Sequence, residues 1–357
     1  MRRTRPDRQP VGRGASWLLL AAMAGMVVAL VLAQLSLPYA IMTPGPITNT
    51  LGEVRDGTPL IEVEGATTYP TDGELNFTTV RVGGGPGNET TVFDYVSAKL
   101  SSDATILPVD EVFPRGATQS EIREENQAEM VGSQQEAAAV ALRALGYAVR
   151  ETVSIASVSE SSAFVDLLRE GDVVTGIGGV ATDGADAIRA EVAKVAPGGP
   201  ISVTVERDGA ETTVEGTTVD LEGRSVLGIF LRREFDSDVK VTITAGDVGG
   251  PSAGMMFALG IYDVLTEGAL TGGHEISGTG TINADGQVGP IGGVVQKVIG
   301  AKEGGTNYFL APHGNCAELD GRVPDGMEVF SIATFTDALA AVEGIAADDT
   351  GELTRCG

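Results

Sequence analysis

The chain has 357 residues, with 49 acidic side chains against 24 basic ones and a net charge of −25 at pH 7. Such a surface repels nucleic acid and anionic lipid headgroups, which excludes a nucleic-acid role without naming a substrate. With two histidines (His274 and His313), no His-Glu-x-x-His pattern and two cysteines, the sequence offers no metal site, and no cofactor is expected.

The N-terminus opens with Arg2, Arg3, Arg5, Arg8 and Arg13, followed by a charge-free stretch from Gly14 to Ala40. Its core, Trp17 to Leu37, has the length of a bilayer-spanning helix. The expected topology is a cytoplasmic tail over residues 1–15, a transmembrane helix over 16–38, and the rest of the chain outside the cytoplasm. A cleaved signal peptide competes with this reading. The apolar run is long for one, and no clean small-x-small site precedes Tyr39, so an uncleaved anchor is preferred.

Residues 39–145 form an N-terminal extracytoplasmic region. A proline-punctuated exit segment, Tyr39 to Ile47, leads to expected strands at Leu60–Val63 and Glu74–Val82, the second with alternating apolar residues. Asp94–Leu100 reads as a short helix and Glu111–Gly132 as an exposed polar stretch. Ser133 and Glu136 then look like a capping box opening a helix over Ser133–Leu145. Residues 146–222 change character. They hold Leu168-Arg169-Glu170-Gly171-Asp172, a helix near Ala185–Val195, and a strand from Ile201 that ends in Arg207-Asp208-Gly209. From Val226 to Ala346 strands and helices alternate, which implies an α/β domain. A tail, 347–357, closes the chain.

The chemistry concentrates in that last domain. Gly249-Gly250-Pro251-Ser252-Ala253-Gly254 puts a hydroxyl just ahead of an apolar helix, where free backbone N–H groups and the positive helix end suit a developing oxyanion. Pro290-Ile291-Gly292-Gly293 repeats the design and is followed by a helix bearing Lys297. There are only five lysines, and this one has apolar neighbours, unlike a solvated lysine face. A lysine of depressed pKa can serve as the base that a serine nucleophile needs. Both histidines read as turn or surface residues, outside the sequence setting of a triad. Cys316 and Cys356, an even pair in an extracytoplasmic domain, are the disulfide candidates.

In order and spacing, Pro251-Ser252-Ala253-Gly254, Ser277-Gly278-Thr279 and Gly286-Gln287-Val288-Gly289-Pro290-Ile291-Gly292-Gly293 with Lys297 resemble the proteolytic domain of the Lon peptidase family, S16. The resemblance covers about a third of the chain. It implies Ser252 as nucleophile and Lys297, the sixth residue counting from Gly292, as general base. Gly250 and Ala253 support the turn, and Ser277, a hydroxyl before a glycine, supports the lysine. Many members carry an acidic residue three before the serine; here that position is Gly249, and Asp247 is the nearest substitute.

Residues 146–222 resemble a PDZ domain of the bacterial protease type, with Leu145-Gly146-Tyr147 as the expected carboxylate loop. Nearly the full length is similar to membrane-anchored, PDZ-containing, Lon-like proteins of Gram-positive bacteria and actinobacteria. The implied fold is an α/β (α+β) Lon-type domain, an inserted or preceding PDZ domain and one N-terminal transmembrane helix. If Glu74–Val82 supplies an early strand to the protease fold, the PDZ domain is inserted. The implied activity is that of a membrane-tethered serine endopeptidase acting on flexible or unfolded extracytoplasmic proteins, with the PDZ domain selecting substrates or gating the site. No Gly-x-x-x-x-Gly-Lys phosphate loop is present, so no ATP requirement is expected. Homo-oligomers are implied by the family. The alternative is an inactive, tethered peptide-binding or scaffolding protein.

Overall fold

The computed structural model describes Trp17, Leu18 and residues 20–26, 35–54, 57–246 and 248–357. The first third of the chain contributes α1 (residues 20–26), β1 (Ser36–Leu37), β2 (Tyr39–Asn49), β3 (Ile61–Glu64), β4 (Glu74–Gly83) and β5 (Thr90–Thr91). It continues with α2 (Val92–Leu100), β6 (Thr105–Pro108), α3 (Val109–Val112) and the long α4 (Gln119–Ala144). The middle contributes β7 (Arg150–Val158), β8 (Val173–Ile177), β9 (Val180–Ala181), α5 (Ala185–Val192), β10 (Pro200–Arg207), β11 (Ala210–Thr217), β12 (Val219–Leu221), β13 (Arg224–Val226) and β14 (Ile229–Asp236). The last third holds β15 (Lys240–Ile243), α6 (Gly254–Leu265), β16 (Glu275–Gly278), β17 (Thr281–Ile282), β18 (Val288–Gly289) and α7 (Val294–Glu303). It ends with β19 (Tyr308–Pro312), a 3-10 turn at His313–Leu319, β20 (Glu328–Ile332) and α8 (Phe335–Ala346).

The larger unit is built on a six-stranded sheet in the order β20-β19-β16-β4-β2-β6. Its first four strands are mutually parallel, and β2 and β6 close one edge antiparallel. Parallel strands need cover on both faces, and accordingly β19 is buried from Phe309 to Pro312 and β4 from Leu75 to Thr78, where it lies beside β16. On one face lies α6, apolar all round (Met255, Met256, Phe257, Leu259, Ile261) and sandwiched between the sheet, α4 and α8. On the other face α7 packs on β2 and β4, and a second cluster that includes Val294, Val298, Phe309 and Leu319 joins it to β19 and the 3-10 turn.

The order of strands shows how the chain is threaded. The N-terminal β4 lies beside the C-terminal β16, with Phe77 opposite Gly278, so both ends of the chain make one sheet and the middle is an insertion. The inserted domain is a second sheet, β11-β10-β8-β7-β14, with its own core of Ile155, Phe164, Ile188 and Val203. Two of its sequence landmarks have a physical role. Asp172, almost fully buried, accepts two bonds from the Arg207 guanidinium (2.7 and 2.6 Å) and one from the Arg169 N–H. These bonds hold its carboxyl below the usual carboxylate range.

Several sequence expectations are corrected. Within the expected 226–346 domain, β14 pairs antiparallel with β7 along its whole length and so lies in the inserted sheet. The stretch 111–132 is largely exposed, as expected, but from Gln119 onward it is helical, and Ser133 caps nothing. One helix runs from Gln119 to Ala144, opened by a different capping box, Thr118 with Glu121. Between Thr118 and Ala144 only Gly132 is a poor helix former, so the earlier cap wins. Of the expected membrane span over 16–38, residues 16, 19 and 27–34 lie outside the described residues. Its end falls short of Leu37, whose strand β1 is hydrogen-bonded to β5. Among the described residues no helix is long and apolar enough to cross a membrane.

A fragment starting at Val226 keeps Ser252 and Lys297 but loses β2, β4 and β6, leaving one edge of β16 and the packed face of α7 bare. It should show no cooperative thermal transition by circular dichroism and should bind a hydrophobic dye strongly. A sharp melting transition would contradict the shared sheet.

Candidate active site

Ser252 sits in a turn that is pinned from three sides. Gly250 has a φ of +85°, a conformation that side chains rarely adopt, and its N–H donates to the Asn126 carbonyl of α4 at 2.8 Å. The Pro251 carbonyl accepts a bond from the Ser133 hydroxyl at 2.9 Å. The Ser252 carbonyl accepts from the Gly280 N–H at 2.8 Å and from the Thr279 hydroxyl at 2.9 Å. Ala253 follows as the N-cap of α6, so the serine stands at the positive end of a buried helix. Among the described residues, neither the Ser252 nor the Ala253 N–H has an acceptor.

Lys297 lies in the first turn of α7, after Gly293 turns the chain in a left-handed conformation. Its side chain is buried (2% exposed), and its Nζ donates to Ser252 Oγ at 2.7 Å and to Thr279 Oγ1 at 2.9 Å. Among the described residues no carboxylate comes within ion-pair distance. Burial disfavours the charged form and pushes the amine from 10.5 down to about 7. Near neutral pH a large share of the molecules therefore carries a free lone pair aimed at the serine hydroxyl. The pair opens onto a cleft of about 310 Å³ lined by Thr79, Val80, Met130, Val248, Gly249 and Gly292.

Ser277 does not touch the lysine. Its hydroxyl accepts a bond from Thr306 at 2.9 Å, deep in the sheet. Two residues further on, roughly 6–7 Å along an extended strand, Thr279 reaches the amine instead. The sequence holds the hydroxyl-glycine pattern twice in succession, Ser277-Gly278 and Thr279-Gly280, and the second copy is the one at the strand end beside Ser252. Gly249 has no room for the acidic residue expected there, since a Cβ would come within 2.9 Å of the Asn126 Cβ. Asp247, named as a substitute, lies outside the described residues.

Leu145-Gly146-Tyr147 is not a carboxylate loop. Its three N–H groups all donate to carbonyls of α4, and the segment is the C-terminal cap of that helix. The inserted sheet presents a different candidate. Its edge strand β14 begins directly after Leu227-Gly228, whose N–H groups find no acceptor among the described residues. A free strand edge with such a loop at its start suits an added peptide strand. The signal was present as Leu227-Gly228-Ile229, but this segment reads as the start of the following domain.

The histidines stand apart from the dyad. His274 packs against Tyr308 near Asp348, and His313 pairs with the Ser331 hydroxyl. Cys316 and Cys356 are joined as a disulfide that ties the C-terminal tail along β20, where the Cys356 N–H donates to Val329.

Residues 218–342 match the Lon protease (S16) C-terminal proteolytic domain, and residues 128–218 match the PDZ domain. The meeting point at 218 differs from the division made by the strand pairing, and the hydrogen-bonded register of β14 with β7 is the better guide to what folds together. Lon protease 2 of Bacillus subtilis is 31% identical over 105 residues, covering 29% of this chain and 18% of that protein. Lon protease 2 of Thermus thermophilus is 37% identical over 94 residues, 26% of this chain and 11% of that protein. This chain thus spans less than a fifth of the length of either relative. The PDZ domain of an SdrC-like protein from Listeria monocytogenes is similar over 22% of this chain and 85% of that one, at 21% identity and a TM-score of 0.21.

The depressed lysine has a consequence for stability. With a folded pKa near 7 and an unfolded one near ~10.4, the unfolded chain binds more protons at this site between those values, so stability rises with pH across that window. Below pH 7 the full penalty of burying the amine is present. Lys297→Met should therefore raise the melting temperature by several degrees at pH 6 and by less at pH 9. Equal shifts at both pH values would contradict the assignment.

Proposed function

We propose that this chain, which carries a PDZ domain and a Lon-type proteolytic domain, is an ATP-independent serine endopeptidase. The observation that carries the reading is the 2.7 Å contact between the buried Lys297 amine and the Ser252 hydroxyl, with no carboxylate to keep the amine charged. Neutral Lys297 takes the hydroxyl proton as Ser252 Oγ attacks the scissile carbonyl carbon. The N–H groups of Ser252 and Ala253 receive the oxyanion. The resulting ammonium gives its proton to the leaving amine, and the free amine then deprotonates the water that hydrolyses the acyl-enzyme. Thr279 holds the amine in line throughout.

The cleft accommodates a short stretch of extended chain, so the substrates are flexible or unfolded protein segments. A peptide adding to the free edge of β14 gives the PDZ domain a means of selecting substrates or gating the site. Tethering to a membrane, with the catalytic domain outside the cytoplasm, is supported by the arginines ahead of the charge-free stretch and by the exposed Trp17, Leu18, Leu20, Met23 and Met26 within it. A disulfide suits the same compartment.

The test is cleavage of an unfolded, fluorescently labelled protein by the detergent-solubilised full chain. Ser252→Ala should lower the rate by roughly 10⁴-fold or more while the protein stays folded. Lys297→Arg should be equally inactive, because a guanidinium does not deprotonate. Lys302→Ala should keep most activity, since that lysine is only half-buried and bonds to Asn307 and the Gly326 carbonyl, away from Ser252. Activity should rise with pH through about 7, the value to which burial brings Lys297. Undiminished turnover by folded Ser252→Ala, or no turnover by the unaltered chain, would favour the inactive scaffold.

A further inference from the structure

The helix α4 carries a serine whose use the dyad does not explain. Ser133 is 4% exposed and lies in mid-helix, where a serine hydroxyl ordinarily turns back to the carbonyl four residues before it or outward to water. Here it crosses 118 residues of sequence to donate to the Pro251 carbonyl at 2.9 Å. The only other donor to that oxygen among the described residues is the Gly254 N–H, at a longer 3.3 Å.

The peptide unit is planar and trans, so the Pro251 carbonyl and the Ser252 N–H are two ends of one rigid plate and point in opposite directions. Whatever fixes that carbonyl also aims the Ser252 N–H. The next plate is fixed in the same manner, because the Ser252 carbonyl is held by Gly280 and Thr279 and shares its peptide unit with the Ala253 N–H. Each N–H without an acceptor therefore lies back to back with a carbonyl that is anchored.

We propose that Ser133 is a positioning residue that orients the Ser252 N–H toward the oxyanion by holding the opposite end of its peptide plane. This inference rests on the proteolytic reading of the Ser252–Lys297 pair. It adds a role for a helix from the other end of the chain. Removing the hydroxyl leaves the nucleophile, the base and the cleft walls in place, but frees the plate to rotate away from the direction in which the oxyanion forms. The interaction at stake is made only as charge develops on the substrate oxygen, so the loss falls on kcat and not on KM.

The experiment measures kcat, KM, the pH midpoint of activity and inhibition by a peptidyl boronate for the full chain and for Ser133→Ala. A boronate bound to the serine places a tetrahedral oxygen where the oxyanion would form. Ser133→Ala should lower kcat about 10- to 100-fold and weaken boronate inhibition by a similar factor, less than or equal to the loss from deleting one oxyanion donor outright. KM and the pH midpoint should not move, because the burial of Lys297 is untouched. A kcat within about twofold of the unaltered chain would overturn the proposal. So would a pH midpoint moving upward together with a lower melting temperature, the signature of a loosened site in which the lysine has become hydrated. If the unaltered chain shows no Ser252-dependent cleavage, the proteolytic reading fails and this inference with it. If that cleavage is present and Ser133→Ala matches it, this inference alone fails.

Discussion

A primary amine that is buried with only hydroxyl groups as partners is an expensive arrangement, and much of the larger domain is organised around tolerating it. Lys297 is flanked by Val294 and Val298, which are fully buried, and its helix is pressed onto β2 and β4 from one side. Any carboxylate nearby would restore the charged form and remove the basicity, so the polar contacts are limited to Ser252 and Thr279. Both hydroxyls can donate or accept, which lets them follow the amine through protonation and deprotonation without leaving an unpaired group behind. The desolvation is met by the packing of a whole domain, since the same sheet that buries the lysine also buries α6 and fixes the serine turn at its N-terminus.

The helix α4 joins the two halves of the molecule. Its N-terminal half supplies the Asn126 carbonyl and its middle the Ser133 hydroxyl to the serine turn. Its C-terminal portion meets the inserted domain, where Arg143 lies 3.6 Å from Glu151 and Glu136 lies 4.0 Å from Arg233. Glu151 and Arg233 are themselves paired at 2.7 Å across β7 and β14. Burial alone would raise the Glu151 carboxyl, but the bonds from Arg233 and the Ala185 N–H outweigh it and hold the group below its usual range. Arg233 sits on β14, the strand at the edge of the inserted sheet. The inserted domain thus meets the same helix that seats the Ser252 turn, about one helical turn from Ser133 at the nearer contact.

How much of this was legible in the sequence depends on whether the relevant partner is near in the chain. Ser252, Lys297 and the helices behind them follow from local turn chemistry, and β4 follows from its alternating residues. The lysine's second hydroxyl was legible only to within two residues, because Ser277-Gly278 and Thr279-Gly280 carry the same pattern and nothing local tells which one stands at the strand end. Ser133 with Glu136 is a good capping box in isolation. Only the long run of helix-compatible residues from Gln119 to Val131, and a carbonyl far away in sequence, decide otherwise. The strand β14 looked like the start of the last domain since its partner β7 lies more than 70 residues upstream, with Ile229 opposite Val158. Pairings of that kind are tertiary facts, and periodicity carries no trace of them.

The central sheet cannot close until both of its halves are present, because β4 and β16 are neighbours in space and their contact residues Thr78 and Gly278 are 200 positions apart. At synthesis rates of roughly 5–20 residues per second, the early strands wait on the order of 10–40 s for their partner. Throughout that interval the lysine either has not been made or is still bathed in water, where an amine keeps its proton and cannot act as a base. The topology therefore imposes latency. The buried amine and the seated serine turn arrive together, as one event, when the last strands dock.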